Sequence, residues 1–211
     1  VLQLVRFGAA QATEREDGAM PNTTFTGEEA CKAAINWALN GLYAGRRDLY
    51  QRMPFDASSR VYSDDNTSRI HYLLSRQVAV SAGEYLYRQH DASATHRFDL
   101  RRLDFLAANR SLRSLLERYH ANTELLSACE EHCWRNYVGL YLQFRRYWAT
   151  FTPQAHQQIH DAFKASLQAM HPERLPRGLR WSPSWLFVRP FSLFCAYRRL
   201  LSGLKKIFKP I

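Results

Sequence analysis

Two adjacent carboxylates, Asp64 and Asp65, follow a loop-like stretch and open a segment whose apolar residues recur at helical steps. Some twenty residues further on the chain reads Tyr85-Leu86-Tyr87-Arg88-Gln89-His90, with Ser93 and Thr95 close behind. A carboxylate at a helix start, carried by a loop on a rigid scaffold, is placed to take a proton from a substrate hydroxyl. The same carboxylates suit a plainer task, capping the orphan N–H groups and the positive dipole end of a helix. An arginine and a histidine at a strand end offer a phosphate contact and a metal ligand, or a solvated edge. Spacing alone favours the plainer task in each case.

Four cysteines are present, Cys31, Cys129, Cys133 and Cys195, none in a CxxC pair. Cys129 and Cys133 stand four apart around His132, a spacing that puts two thiols on one helix face. No second ligand pair stands nearby, so two reduced, partly buried thiols are the expectation, as in a reducing cytosol.

These residues need elements to hold them. Val1 to Ala9 reads as a strand, and Glu14 to Asn22 as a polar turn. Thr26-Gly27-Glu28-Glu29 is a capping box, which predicts a helix from there to about Leu39, broken at Asn40-Gly41. Leu42 to Tyr50 is short and mixed, ending in the basic pair Arg46-Arg47, and Met53 to Ser63 is loop-like. Asp64 begins a second helix with Ile70, Leu73 and Leu74 on its apolar face. Val78-Ala79-Val80 and Tyr85-Leu86-Tyr87-Arg88 read as two short strands.

Near Arg97 the character changes. Leu100, Leu103, Leu106, Leu112, Leu115 and Leu116 repeat at three- and four-residue steps up to about His120. Asn122 to about Trp148 continues the pattern, and Thr152 to Met170 gives a further helix with Thr152 as cap and Pro153 at its first position. Their apolar stripes are expected to pack on the preceding domain or on one another. His171 to Pro183 is a linker bearing Pro and Arg, and Trp185 to Phe208 is a last helical segment.

The order of elements resembles family-2 glycosyltransferases of the GT-A fold. The resemblance rests on four quoted elements over roughly residues 1–96: the box Thr26-Gly27-Glu28-Glu29, the element Gly41-Leu42-Tyr43-Ala44-Gly45-Arg46-Arg47, the acidic motif Tyr62-Ser63-Asp64-Asp65, and the closing motif from Tyr85 through His90 to His96. It implies an α/β fold, a partial GT-A-like domain, followed by a mainly α-helical C-terminal region. It further implies an inverting transfer of a sugar from a nucleotide sugar to a hydroxyl of a glycan or lipid-linked acceptor, in the synthesis of bacterial surface polysaccharide. Asp65 would be the base and Asp64 its neighbour in the pair, standing where the family has Glu. Arg88 would face the diphosphate, and His90 would help to hold Mn²⁺ or Mg²⁺. Gly41, Arg46 and Arg47 would border the acceptor. No Asp-x-Asp motif precedes these elements here, so the nucleotide-binding half is expected upstream of Val1, and the given chain is expected to be inactive alone.

The 211 residues carry a formal net charge of +10, with 46% hydrophobic and 13% aromatic residues. Such a composition predicts a folded chain with an anionic partner. No run of about 18 or more apolar residues occurs, so no transmembrane helix is expected. Beyond Glu173 there are no acids, while Trp181, Trp185, Phe187, Phe191, Phe194, Tyr197 and Phe208 interleave with Arg and Lys. That pattern over 181–211 fits an anionic membrane surface, or a terminal helix docked on the protein with its charges solvated. The division reads as 1–96, 97–170 and 171–211, and the location as cytoplasmic, peripheral on the inner face of the cytoplasmic membrane. The competing reading is a non-catalytic basic helical adaptor for a membrane or nucleic acid. Nucleic acid is disfavoured, because basic residues over the first 170 positions are balanced by acids.

Overall fold

The computed structural model describes residues 2–9, 23–39, 43–87 and 98–180 together with positions 196 and 200, and of 2–9 and 82–87 the backbone. An α/β portion comes first. Strand β1 (Leu2–Ala9) runs parallel to β4 (Gln77–Tyr87) and antiparallel to the two-residue β3 (Tyr43–Ala44). The short β2 (Thr24–Thr26) adds antiparallel to the other side of β4, giving the order β2-β4-β1-β3. The two strands expected at Val78–Val80 and Tyr85–Arg88 are one continuous strand as far as Tyr87. Its ladder with β1 tolerates the intervening Ser81-Ala82-Gly83 through a register shift between Leu4 and Arg6.

Helix α1 (Gly27–Ile35) begins as the capping box requires. Thr26 Oγ1 accepts the Glu29 N–H, and the Glu29 carboxylate accepts the Thr26 N–H at 2.8 Å. The helix stops at Ile35, short of Leu39, because Trp37 takes a left-handed conformation with φ of 64°. The reversal turns the chain so that Leu39 is buried again.

Gly27 has a positional reason: a Cβ there would lie 2.1 Å from the Ser75 carbonyl oxygen and 2.5 Å from that of Tyr72. The start of α1 therefore rests directly on the last carbonyls of α3 (Asp64–Leu73). Between them lies α2 (Arg47–Arg52).

The helical portion follows. A 3-10 turn at Leu100–Leu103 leads into α4 (Asp104–Arg118), α5 (Thr123–Arg146) and α6 (Pro153–Gln168), with the single turn α7 (Arg177–Arg180) after them. Asn122 caps α5, and Thr152 with Pro153 starts α6. Helix α5 has 24 residues, about 36 Å of helix, and spans two cores. Its first half gives Leu125, Cys129 and Cys133 to a core shared with Ile35, Ile70, Val78 and, from α4, Leu112 and Leu116. Its second half packs Tyr137, Tyr141 and Phe144 against Ile159, Phe163 and Leu167 of α6. The helices thus pack both on the α/β portion and on one another.

A buried ion pair ties this scaffold. Arg113 donates to both carboxylate oxygens of Glu130, at 2.8 and 3.1 Å, and Glu130 also accepts the His171 N–H at 2.9 Å. No helix among the described residues is long and apolar enough to cross a membrane. Of the basic tail only Ala196 and Leu200 are described, both helical and exposed.

Candidate functional site around Asp65

Helix α3 is unusual in what it buries. Asn66, Thr67, Arg69 and His71 are all buried alongside Ile70 and Tyr72. Buried polar groups must find partners. Asn66 donates to Asp56 at 2.8 Å and to the Ala108 carbonyl at 2.9 Å, and Asp56 also accepts from Ser111. These bonds lock the loop before α3, and the start of α3 itself, onto α4.

His71 is held as one neutral tautomer. Its Nε2 lies 2.7 Å from the Met53 carbonyl, which can only accept, so Nε2 carries the proton and Nδ1 accepts from the Tyr43 hydroxyl at 2.8 Å. Burial lowers its pKa in keeping with that arrangement.

Asp65 lies in the first turn of this fixed helix and is half-buried, whereas Asp64 is exposed. Neither acts as the helix cap: the N-cap position is Ser63, and no side chain caps the helix. Burial raises the Asp65 pKa, Asp64 adds to the rise, and Arg69 opposes it. Arg69, one turn on, is 4% exposed. It reaches the Ala34 carbonyl at 3.4 Å and Asn66 Oδ1 at 3.3 Å, both long bonds that leave most of its five donors unused.

Two further side chains complete the cluster. The Trp37 ring, set by the reversal after α1, lies 5.3 Å from the Arg69 guanidinium carbon and remains 45% exposed. His132 of α5 lies beside Trp37, with ring centroids 6.2 Å apart. Burial, and then Arg69, push the His132 pKa down to about 3, so the imidazole is neutral. Its Nε2 accepts from Asn136 at 3.0 Å. Next to these, Asn109 Nδ2 is buried without a hydrogen-bond partner. The arrangement is one half-buried carboxylate with raised proton affinity, a buried cation beside it, and an exposed aromatic ring above the cation.

The sequence-predicted residues do not all gather here. Arg46 stands just before α2, paired with Asp48 at 3.0 Å, and lines a cavity with Leu74 to Gln77 at the far end of α3 from Asp65. Arg47 begins α2 and is exposed. Gly41, Arg88 and His90 lie outside the described residues, as does the closing motif beyond Tyr87. No group of three or more His, Cys, Asp or Glu that could hold a metal ion occurs among the described residues. Cys129 and Cys133 are both buried, with sulfurs 3.9 Å apart.

Trp37, Arg69 and His132 were not singled out as site residues from the sequence. Arg69 carried a signal, its position one turn after Asp65. In the sequence His132 is marked only by the cysteines flanking it, and Trp37 carries no signal. No family model, curated protein or solved structure matches this chain.

Proposed function

We propose that the chain is a segment of an inverting glycosyltransferase in which Asp65 is the general base. The observation that carries this reading is the Asp65 carboxylate itself. It sits half-buried on a helix start that Asn66 and Thr67 bond to Asp56 and to the Ala108 carbonyl of α4. It serves no cap, and no described residue donates a hydrogen bond to it. A carboxylate kept partly out of water without a structural bond costs stability, and such sites are where function is found.

The chemistry follows from its state. A raised proton affinity brings a carboxylate nearer to working pH, where a base accepts a proton most effectively while still ionised. As the acceptor hydroxyl attacks the anomeric carbon, its proton passes to a carboxylate oxygen of Asp65. The C–O bond to the nucleoside diphosphate breaks on the opposite face, and the configuration inverts. Arg69 stabilises Asp65 in the ionised form that must receive the proton. The motifs leading to Asp65 resemble those of family-2 enzymes of the GT-A fold, whose divalent ion would meet His90 and whose diphosphate would meet Arg88. The proton transfer described here involves this chain's carboxylate alone.

The test is release of nucleoside diphosphate by the full-length gene product, supplied with UDP-, GDP- or dTDP-sugars, Mn²⁺ and a glycan or lipid-linked acceptor. Acceptor-dependent release that vanishes in Asp65→Asn supports the reading. Release unaffected by that substitution removes it.

A further inference from the structure

At the opposite end of α3 from Asp65, three arginines surround one cavity. Arg46 precedes α2, Arg52 ends it, and Arg76 lies in the turn between α3 and β4. Together with Ser75, Gln77 and Asp48 they line a space of about 200 Å³, with Leu49 and Leu74 as its apolar wall. The part of α3 beyond Asp65 puts about 12 Å of helix between it and this cavity. The cavity opens beside the first residue of β4, whereas the closing motif begins at Tyr85, near that strand's other end.

The charges do not cancel. Asp48 is engaged by Arg46, whose Nε donates to Oδ1 at 3.0 Å. Arg52 and Arg76 are exposed, and no carboxylate among the described residues forms an ion pair with either. Another acid, Glu29, lines an adjoining hollow that shares Arg76 and Gln77. Its carboxylate is committed to the Thr26 N–H and hydroxyl, each at 2.8 Å. The Ser75 hydroxyl is spent on the His71 carbonyl. Three guanidiniums against one carboxylate leave two positive charges facing the cavity, with the Gln77 amide as a neutral donor.

We propose that this cavity binds a phosphate group carried as a monoester or diphosphate. Its volume lies below the range of organic ligand pockets, so it suits a small anion or a head group. A phosphate dianion matches the net charge. The Arg52 and Arg76 guanidiniums supply paired N–H donors that phosphate oxygens accept, and Arg46 adds its charge beside them. The site does not depend on the transferase reading: Asp65 takes no part in it, and Arg46, which the resemblance sets beside the acceptor, stands at the far end of α3 from Asp65. The phosphate can be free in solution or displayed by an anionic lipid.

The experiment titrates the whole 211-residue chain with inorganic phosphate and pyrophosphate by calorimetry. In parallel, it measures co-sedimentation with phosphatidylcholine vesicles, with and without phosphatidic acid. Arg52→Gln combined with Arg76→Gln should weaken binding of whichever probe is taken by about tenfold or more, since even one lost charge-assisted contact is worth about that factor. Arg60→Gln, an exposed arginine outside the cavity, should change nothing, and Asp65→Asn should also leave binding intact. Binding of pyrophosphate alone identifies a free anion, and binding of phosphatidic acid vesicles that weakens in Arg52→Gln/Arg76→Gln identifies a head group in the cavity rather than attraction to residues 181–211. Failure of both probes overturns the site, as does equal binding by the double variant and wild type when circular dichroism shows both folded. A loss in Arg60→Gln matching that in the double variant overturns it too, because the attraction would then be diffuse charge.

Discussion

Arg69 stands one helical turn beyond Asp65 on α3, and each offsets the desolvation of the other. Burial raises the Asp65 pKa and Arg69 lowers it, while burial lowers the Arg69 pKa and Asp65 raises it. The balance leaves the carboxylate above its ordinary value yet ionisable. Replacing Arg69 by Met keeps much of its length and removes the charge that opposes the rise. The Asp65 pKa should then climb further. On the role proposed for Asp65, the acid limb of the kcat/KM profile of the full-length gene product should move to higher pH in Arg69→Met, with activity recovering as pH increases. A profile that drops uniformly without shifting would show that Arg69 does not act through Asp65.

Asp65→Asn is nearly isosteric and cannot accept the acceptor proton. If Asp65 is the base of the transfer proposed above, turnover by the full-length gene product falls by far more than tenfold, with nucleotide-sugar affinity nearly unchanged. Retention of more than about a tenth of the wild-type rate, a barrier change under about 1.4 kcal/mol, would make Asp65 something other than the base.

The parts of this fold that were legible in the sequence are those set by local rules. The Thr26–Glu29 box, the Asn122 and Thr152 caps and Pro153 all lie where their chemistry puts them, because capping involves residues three or four apart. The end of α1 was not legible, since the reversal at Trp37 is set by the need to return Leu39 to the core. Nor was the continuity of β4, whose central residues lack strand character and are carried past a register shift in the ladder with β1. The carboxylate pair stood out in sequence, but its setting did not. Trp37, Asp65, Arg69 and His132 come from three helical regions of the chain, and only folding brings them together. Arg46 shows the reverse: a residue near the motif in sequence lies at the far end of α3.

His132 should make the protein acid-sensitive. Its pKa is pushed down to about 3 in the folded state against an ordinary 6.5, so the unfolded chain binds the proton first. The stability held by its neutral form is present above the unfolded value and is lost as pH falls toward the folded one. Each unit costs about 1.4 kcal/mol, so wild type should lose about 3 kcal/mol between pH 7 and pH 4.5 through this group. His132→Asn cannot titrate, and its urea midpoint should fall less over that interval. Parallel pH dependences in the two proteins would show that His132 is not held neutral.

Gly27→Ala tests how the capping box is docked. The new Cβ would press on the Ser75 and Tyr72 carbonyls at 2.1 and 2.5 Å, against backbone that cannot rotate away. Although Ala favours helices, α1 must move off α3, at a cost of about 3 kcal/mol. Thermal unfolding should show a clear drop in Tm, and an unchanged or higher Tm would mean that the two helices do not meet so closely.

The Arg113–Glu130 pair joins α4, α5 and the turn at His171, with side chains only 6% and 1% exposed. Breaking such a pair leaves a buried charge without compensation, so Glu130→Gln should cost about 3–5 kcal/mol. Arg113→Met, which strands the carboxylate instead, should cost a similar amount. The double variant Arg113→Met/Glu130→Leu removes both charges together and should cost less than the sum of the singles. It should not return to wild type, because the His171 N–H then loses its acceptor, a penalty of about 1–3 kcal/mol. Denaturant titration of the four proteins forms a double-mutant cycle. Additive losses would mean that the two side chains do not act as a pair. Full recovery in the double variant would mean that Glu130 does not anchor His171.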